Sequence, residues 1–323
     1  MSGLHHSVTT AFGLSGTVRE KGYYKTTDGM RVIRKTKDGR SQILAWHQIK
    51  EHCNVFGYPW MDRYYLTNSG NPYVFSDGEY YVMTDNFHNR EVDFTDIQGF
   101  LKVVKAVAHW HKCARGVSFS NEAVLNKGQL SAPLTEIFKA EGEALDTIRK
   151  RIRKQSQLSD FDVLFVKHYP KYKELTQKAC QLLESTGYLK RISQARKMFH
   201  ICHGNLKEDY MYLHGDQVFI TKLNDASFDY QLNDLCSLIR RREKKHKHQK
   251  ELEKNLDRSR ILEAYNQVVP LETEEEIILE AMLLYPSAFI KIVTEYYKKN
   301  RTWTPVSMAN KMQEVLKLDE SFS

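Results

Sequence analysis

Apolar positions along the chain follow two different periods. Over the first ninety residues they come in short alternating runs cut by turn residues. Lys21-Gly-Tyr-Tyr-Lys-Thr-Thr and Met30-Arg-Val-Ile-Arg-Lys flank Asp28-Gly29, a pattern that predicts strand, tight turn, strand. Tyr64-Tyr-Leu-Thr, Pro72-Tyr-Val-Phe and Tyr80-Tyr-Val-Met-Thr, separated by Asn68-Ser-Gly-Asn and Ser76-Asp-Gly, predict two or three more strands. One helix interrupts the series, from about Ser41, the expected N-cap, to about Asn54, with Ile43, Leu44, Trp46 and Ile49 forming a mostly one-sided stripe. From Thr95 the period becomes helical: Ile97, Leu101, Val104, Ala108 and His111 share one face, and Arg115-Gly116 closes the segment. Further helices are predicted near 134–154, 171–186 and 189–199. A loop follows at His203 to Leu213, then a hairpin turning at His214-Gly-Asp, and from Asp234 helices run to the end. The expected fold class is therefore α+β: a small antiparallel β-rich lobe with one helix at 1–84, a linker at 85–92, and a large helical lobe at 93–323 that carries one β-hairpin.

Composition mainly removes alternatives. In 323 residues the chain is 41% apolar and 11% aromatic, enough for a sizeable core, so wholesale disorder is excluded. No apolar run approaches the ~18 residues of a membrane helix. Met-Ser-Gly-Leu-His-His begins the chain without a basic segment leading into an apolar one, so no secretory signal is expected. Five scattered cysteines with no CxxC pair and no Cys/His ligand spacing read as buried free thiols. The net charge of +8 is modest, and the basic runs Arg149 to Lys154 and Arg240 to Lys250 lack interleaved aromatics, so nucleic acid is not the expected partner. Such runs form solvated faces or dock on acidic partners.

Five stretches, in order, carry a resemblance. They are Tyr81-Val-Met-Thr-Asp, the helix end Ala106-Val-Ala-His-Trp-His-Lys-Cys-Ala-Arg-Gly, the loop His203-Gly-Asn, the segment Asp234-Leu-Cys-Ser-Leu-Ile-Arg-Arg, and Leu284-Tyr-Pro-Ser-Ala-Phe-Ile-Lys with Tyr296-Tyr297. Together they resemble the bilobal protein-kinase-like fold in its aminoglycoside and choline phosphotransferase branch, and more narrowly the CotS family of bacterial spore-coat proteins. The resemblance implies an ATP-dependent phosphotransferase architecture. It also implies a chain made in the mother-cell cytoplasm and assembled with other coat proteins.

Phosphoryl transfer in such a fold relies on a base in the catalytic loop, metal ligands on either side of the hairpin, and a cation on the third strand. The positions that match in this chain hold different groups. Asn205 stands where the base is expected, and an amide cannot take a proton near neutral pH. Tyr210 and Lys222 stand at the two metal-ligand positions; a neutral phenol is a poor ligand for magnesium and an ammonium repels it. Arg34, or Lys35 by a shift of one, occupies the strand-three position, with Gln42 or His47 where its acidic partner is sought and Glu51 the nearest acid. Gly13 and Gly16 make only a weak phosphate-loop match. The resemblance gives His203 and Asp234 loop-structuring roles, Asp234 also being a plain N-cap by position.

The expected function is therefore a spore-coat-associated pseudokinase acting as a binding or structural component, with no catalytic residue, metal or obligatory cofactor. Arg34 and Lys222 are the expected contacts for an anion or for ATP bound without metal, unless Lys222 faces solvent or pairs with Asp225 or Asp229. Two alternatives stand beside it: an active small-molecule or protein kinase with Asp209 as relocated base and Asp225 as relocated metal ligand, and an inactive nucleotide-binding regulator.

Overall fold

The alternating strands close into one sheet. The structure, a computed structural model, describes residues 3–14, 18–20, 22–27, 29–86, 90–120, 132–246, 251–298 and 305–320. Helix α1 (Gly3–Ala11) precedes strands β1 (Val18–Glu20), β2 (Tyr23–Thr26) and β3 (Gly29–Thr36). Helix α2 (Arg40–Val55), β4 (Val74–Ser76) and β5 (Glu79–Asp85) follow. The strand order is β1-β2-β3-β5-β4, every neighbour antiparallel. Asp28 of the expected Asp-Gly turn, Gly16, and residues 87–89 of the expected linker lie outside the described residues. The Tyr64-Tyr-Leu-Thr run is not a strand; Tyr65 N–H reaches the Met83 carbonyl at 2.9 Å, but the run has no ladder.

Two differences from the pattern have clear causes. Helix α1 was not expected. Its Val8 and Phe12 are one turn apart and pack on Met83, with Ile33, Tyr65, Val74 and Tyr81 around them. This burial stabilises a short helix whose own propensity is poor. Helix α2 is capped at Gly39, not Ser41: Gly39 N–H donates to Gln42 Oε1 at 3.1 Å, which satisfies an otherwise orphan donor.

Two compact units divide the chain, one comprising Met1–Leu130, Ala195–Leu238 and Gln267–Val269, the other Ser131–Gln194, Ile239–Asn266 and Pro270–Ser323. The first holds the sheet and also β6 (Arg90–Glu91) and α3 (Ile97–Cys113), whose N-cap Asp96 accepts from Gln98 and Gly99 N–H. The second holds α4 (Leu134–Ile152), α5 (Asp160–Ser185) and most of α6 (Tyr188–Lys197). Back in the first unit are β7 (Ile201–Cys202), the hairpin β8 (Met211–His214) and β9 (Gln217–Ile220), and β10 (Ser227–Phe228). The hairpin is completed by β6 in the order β6-β8-β9, and β10 pairs with β7. Helices α7 (Leu232–Lys245), α8 (Glu251–Asn266), α9 (Thr273–Leu284), α10 (Ser287–Lys298) and α11 (Pro305–Glu320) complete the chain.

The second unit is built on aromatic contacts. Phe138 stacks on Tyr285 at 3.5 Å between centroids, Tyr172 on Phe289 at 3.7 Å and Phe161 on Tyr296 at 4.0 Å. Helix α5 begins eleven residues before the expected 171, because it continues through Pro170. An interior proline costs about 3 kcal/mol. Burial of Phe165, Tyr169 and Tyr172 around it, and the Ser159–Asp162 capping box, outweigh that cost. Arg240 turns inward, donating to the carbonyls of Met282 and Tyr285 and to Ser287 Oγ at the end of α9. Arg242, 4% exposed, pairs with Asp257 at 2.7 Å. These two members of the expected docking run are therefore structural, and residues 247–250 of that run lie outside the described residues. Arg149 and Arg151 of the other run lie over the Tyr169 and Tyr297 rings. The five cysteines are free and buried. Among the described residues no single helix is long and apolar enough to cross a membrane.

Candidate functional site

The loop between β7 and β8 is held by one carboxylate. Asp234, two per cent exposed near the start of α7, accepts His203 N–H at 2.6 Å and Gly204 N–H at 2.9 Å, and lies 3.1 Å from His111 Nε2. His111 comes from α3, at the histidine of the expected helix-end motif. Burial pulls His111 below the usual histidine range, so it stays neutral and donates Nε2–H to the ionised Asp234. Burial alone would raise Asp234, but His111 and the loop amide outweigh it and hold the carboxyl below its ordinary value. His203, fully buried, donates Nε2–H to the Thr221 carbonyl at 2.9 Å and accepts Asn205 N–H on Nδ1 at 3.3 Å. Gly204 has φ +78°, and a Cβ there would run into the Asp225 carbonyl.

The positions expected to carry chemistry meet one another. Asn205 Nδ2 donates to Asp225 Oδ2 at 2.8 Å. Tyr210 closes a short 3₁₀ turn, and its carbonyl accepts both Thr221 N–H (2.9 Å) and Thr221 Oγ1–H (3.0 Å). Its ring lies under the Lys222 ammonium, 4.2 Å from Nζ to centroid, and 5.3 Å from Lys207 Nζ. Lys222 therefore neither faces bulk solvent alone nor pairs with Asp225 or Asp229: its ammonium sits on an aromatic face, and Asp229 pairs with Arg196 instead. Its backbone is left-handed (φ +60°, ψ +69°), a conformation L-residues rarely adopt.

The strand-three position is resolved by register. Arg34 pairs with Val82 and Lys35 with Tyr81, so the two point to opposite faces of the sheet. Lys35 binds Glu79 at 2.7 Å on the face covered by α1. Arg34 is on the other face and near enough to Tyr212 of β8 to lower that phenol's pKa, although burial and Glu91 raise it overall. Asp209 is exposed, and its carbonyl accepts the Tyr212 hydroxyl at 3.0 Å. Glu51, the nearest acid on α2, is engaged by Arg63 at 2.8 and 2.6 Å.

A second buried network was not foreseen. Lys50 of α2 is one per cent exposed; its ammonium donates to the Asp62 carbonyl oxygen (2.8 Å), lies 2.9 Å from Asp62 Oδ1, and sits 3.7 Å over the Tyr64 ring. Burial would lower the Lys50 pKa, but Asp62 and Tyr64 raise it, so the group stays charged. Asp62 Oδ2 accepts Lys222 N–H at 3.3 Å. The same loop is anchored to the hairpin by Ile220 N–H on the Trp60 carbonyl (3.0 Å) and by Tyr58 Oη–H on the Val218 carbonyl (2.7 Å). A third link joins Asn224 Nδ2 to Asp38 Oδ2 at 2.8 Å. The missed signal was positional: Lys50 lies seven residues after Ile43, on the stripe that α2 buries.

A family model described as "Spore coat putative kinase YutH" matches residues 15–322. The chain belongs to this YutH spore-coat family. It is 20% identical over 300 residues to Spore coat protein S of Bacillus subtilis (strain 168), covering 92% of this chain and 83% of that protein. It is 24% identical over 196 residues to Endospore coat-associated protein YutH of the same organism, covering 61% of this chain and 54% of that protein. Among solved structures, an aminoglycoside phosphotransferase from Alicyclobacillus acidocaldarius superposes with a TM-score of 0.79 at 14% identity, covering 98% of this chain and 93% of that one. The YutH-family chain thus has the kinase-like phosphotransferase fold, a small antiparallel sheet with a large helical part.

Active members of such a fold use magnesium on the nucleotide phosphates. Magnesium takes hard oxygen ligands in near-ideal octahedral geometry. At the matching positions this YutH-family member offers a phenol and an ammonium in contact with each other, beside an amide bonded to Asp225. That donor set does not fit the ion. Among the described residues no three His, Cys, Asp or Glu side chains converge to hold a metal.

Proposed function

We propose that this chain is a non-catalytic kinase-fold component of the spore coat, made in the mother-cell cytoplasm and joined to other coat proteins by binding. The observation that carries the reading is the Lys222–Tyr210 contact: two groups at metal-ligand positions meet as a cation and a neutral ring, 4.2 Å apart. Asn205, at the base position, has no proton-accepting nitrogen or carboxylate, and its amide is bonded to Asp225. Loss of the base and loss of charge neutralisation remove separate contributions, on the order of ~10²–10⁴-fold for the first and often more for the second. The coat role is supported by family membership and by the two Bacillus relatives.

Single-turnover phosphate release from γ-labelled ATP tests the chemical part. The expected result, with magnesium or manganese, is release no faster than buffer alone. A burst stoichiometric with protein would sink the reading. A fluorescent fusion expressed during sporulation tests the location, with a ring around the forespore expected and diffuse signal counting against it.

A further inference from the structure

Two ammonium groups share the Tyr210 ring. Lys222 Nζ is 4.2 Å and Lys207 Nζ 5.3 Å from the centre of one ring, and among the described residues neither ammonium has a carboxylate at ion-pair distance. A ring face attracts a cation but leaves its full charge in place. Three acids lie close in the chain. Asp225 is bound by the Asn205 amide, Glu208 accepts Phe94 N–H at 2.8 Å, and Asp209 is exposed. Asp62, which could have neutralised Lys222, is paired with the buried Lys50 and offers Lys222 only an oxygen for its backbone N–H.

Lys222 is also held in a fixed direction. Its N–H is fixed by Asp62, and the preceding Thr221 is bonded through its N–H, its hydroxyl and its carbonyl to Tyr210 and His203. A strained left-handed residue persists only where its surroundings over-determine it, and such positions cluster at binding sites. Like charges on one ring repel, and that repulsion is relieved when an anion with several charges lies between them. Lysine binds phosphate as a point charge, and a chain of phosphates can reach more than one such point.

We propose that Lys222 and Lys207 form a site for a phosphate chain that binds without a metal ion, the Lys222 ammonium taking the electrostatic role that magnesium has in active members of the fold. This rests on the non-catalytic reading only in taking position 222 as a cation site.

Isothermal titration with tripolyphosphate and with ATP, each in EDTA and in magnesium, tests the site. The proteins are the full chain, Lys222→Met, Lys207→Met, and Lys105→Met as an exposed control on α3. Saturable binding is expected in EDTA, weaker when magnesium occupies the phosphates. It should weaken about tenfold or more in Lys222→Met, as loss of a charge-assisted contact implies, and measurably in Lys207→Met, with the control unchanged. Tighter binding of ATP than of tripolyphosphate identifies a nucleoside triphosphate as occupant; equal binding identifies the free phosphate chain. The inference is overturned by absence of saturation at millimolar ligand, by binding that requires magnesium, or by unchanged affinity in both folded lysine variants. It fails separately from the non-catalytic reading: no binding and no phosphate release removes the site alone, whereas binding with turnover removes the non-catalytic reading alone.

Discussion

Replacing Asp234 by alanine is the most informative single perturbation of the loop. In the native chain its two oxygens take His203 N–H at 2.6 Å, Gly204 N–H at 2.9 Å and His111 Nε2–H at 3.1 Å, in a position only two per cent exposed. Alanine leaves the buried His203 amide without an acceptor, a loss of about 1–3 kcal/mol, more because the acceptor was charged. Gly204 is exposed, so water recovers part of its share. His111 loses its contact with the carboxylate in a fully buried position. The sum is about 3–5 kcal/mol, a large part of the ~5–15 kcal/mol that stabilises a typical domain. Urea unfolding followed by far-ultraviolet circular dichroism measures it, and buried Trp110, 6.0 Å from His203, gives a local fluorescence signal. Asp234→Asn should lose somewhat less, because one carbonyl oxygen remains. The sign of the pH effect is fixed as well. The folded carboxyl is held below its ordinary value, so its contribution is complete above about pH 4, the unfolded value, and disappears as pH falls through the depressed folded value. The gap between the native chain and Asp234→Asn should therefore narrow only below about pH 4. A loss under ~1 kcal/mol at pH 7 with an unchanged denaturant slope would refute the reasoning.

Other perturbations probe the same loop from different sides. Gly204→Ala should destabilise by about 2–4 kcal/mol, since it combines a left-handed backbone with a collision on the Asp225 carbonyl; a neutral result in the same urea assay contradicts the packing described. Lys222→Gly and Lys222→Ala both remove the ammonium, but only glycine relieves φ +60°, so the glycine variant should be about 1 kcal/mol the more stable; the reverse order would show that the residue does not hold this conformation in solution. Lys50→Met should cost about 3–5 kcal/mol by leaving Asp62 buried and uncompensated, with Asp62→Asn restoring part of it in the double variant; full additivity of the two changes would argue against the pair. His200 is pulled down to about 4, first by burial and then by Arg115 and His111. Its contribution is complete above pH 6.5 and is lost as pH falls from there toward 4, at most about 3 kcal/mol. His200→Gln should flatten the stability profile in that window, and an unchanged profile counts against the half-buried neutral ring.

How much of this was legible in the chain depends on the range of the contact involved. Strands β2, β3 and β5 and the β8–β9 hairpin were visible because alternation and turn residues are local properties. Helix α3 was visible because its apolar face keeps one period for four turns. Helix α1 was not, because the partner that fixes it, Met83, is far along the chain. The early start of α5 was hidden by Pro170, whose local cost is outweighed by aromatic packing the local pattern does not encode. At the site, the positions of His203, Asn205, Tyr210, Lys222 and Asp234 came from motif order. Their mutual contacts could not be read that way. The Lys50–Asp62–Lys222 chain is hidden for another reason: lysine is almost never fully buried, so nothing in the sequence marks Lys50 as part of the buried stripe of α2.

The two buried networks bear on what the loop is for. Asp234 fixes its backbone at His203 and Gly204, and Asp62 fixes it again at Lys222. Between these points the chain tolerates two left-handed residues, Gly204 and Lys222, one of them with a full side chain. Such conformations cost energy unless neighbouring contacts enforce them. A region that merely filled space in an assembly would be stable with a looser loop and no buried charges, because apolar packing of similar volume is often at least as stabilising as a buried ion pair. What the networks add is a fixed direction for Asn205, Tyr210 and Lys222. Fixed direction lowers the ordering cost of binding. On the non-catalytic reading proposed above, the amide, phenol and ammonium so aimed serve binding and not transfer. A preorganised loop is what a binding site on this fold requires.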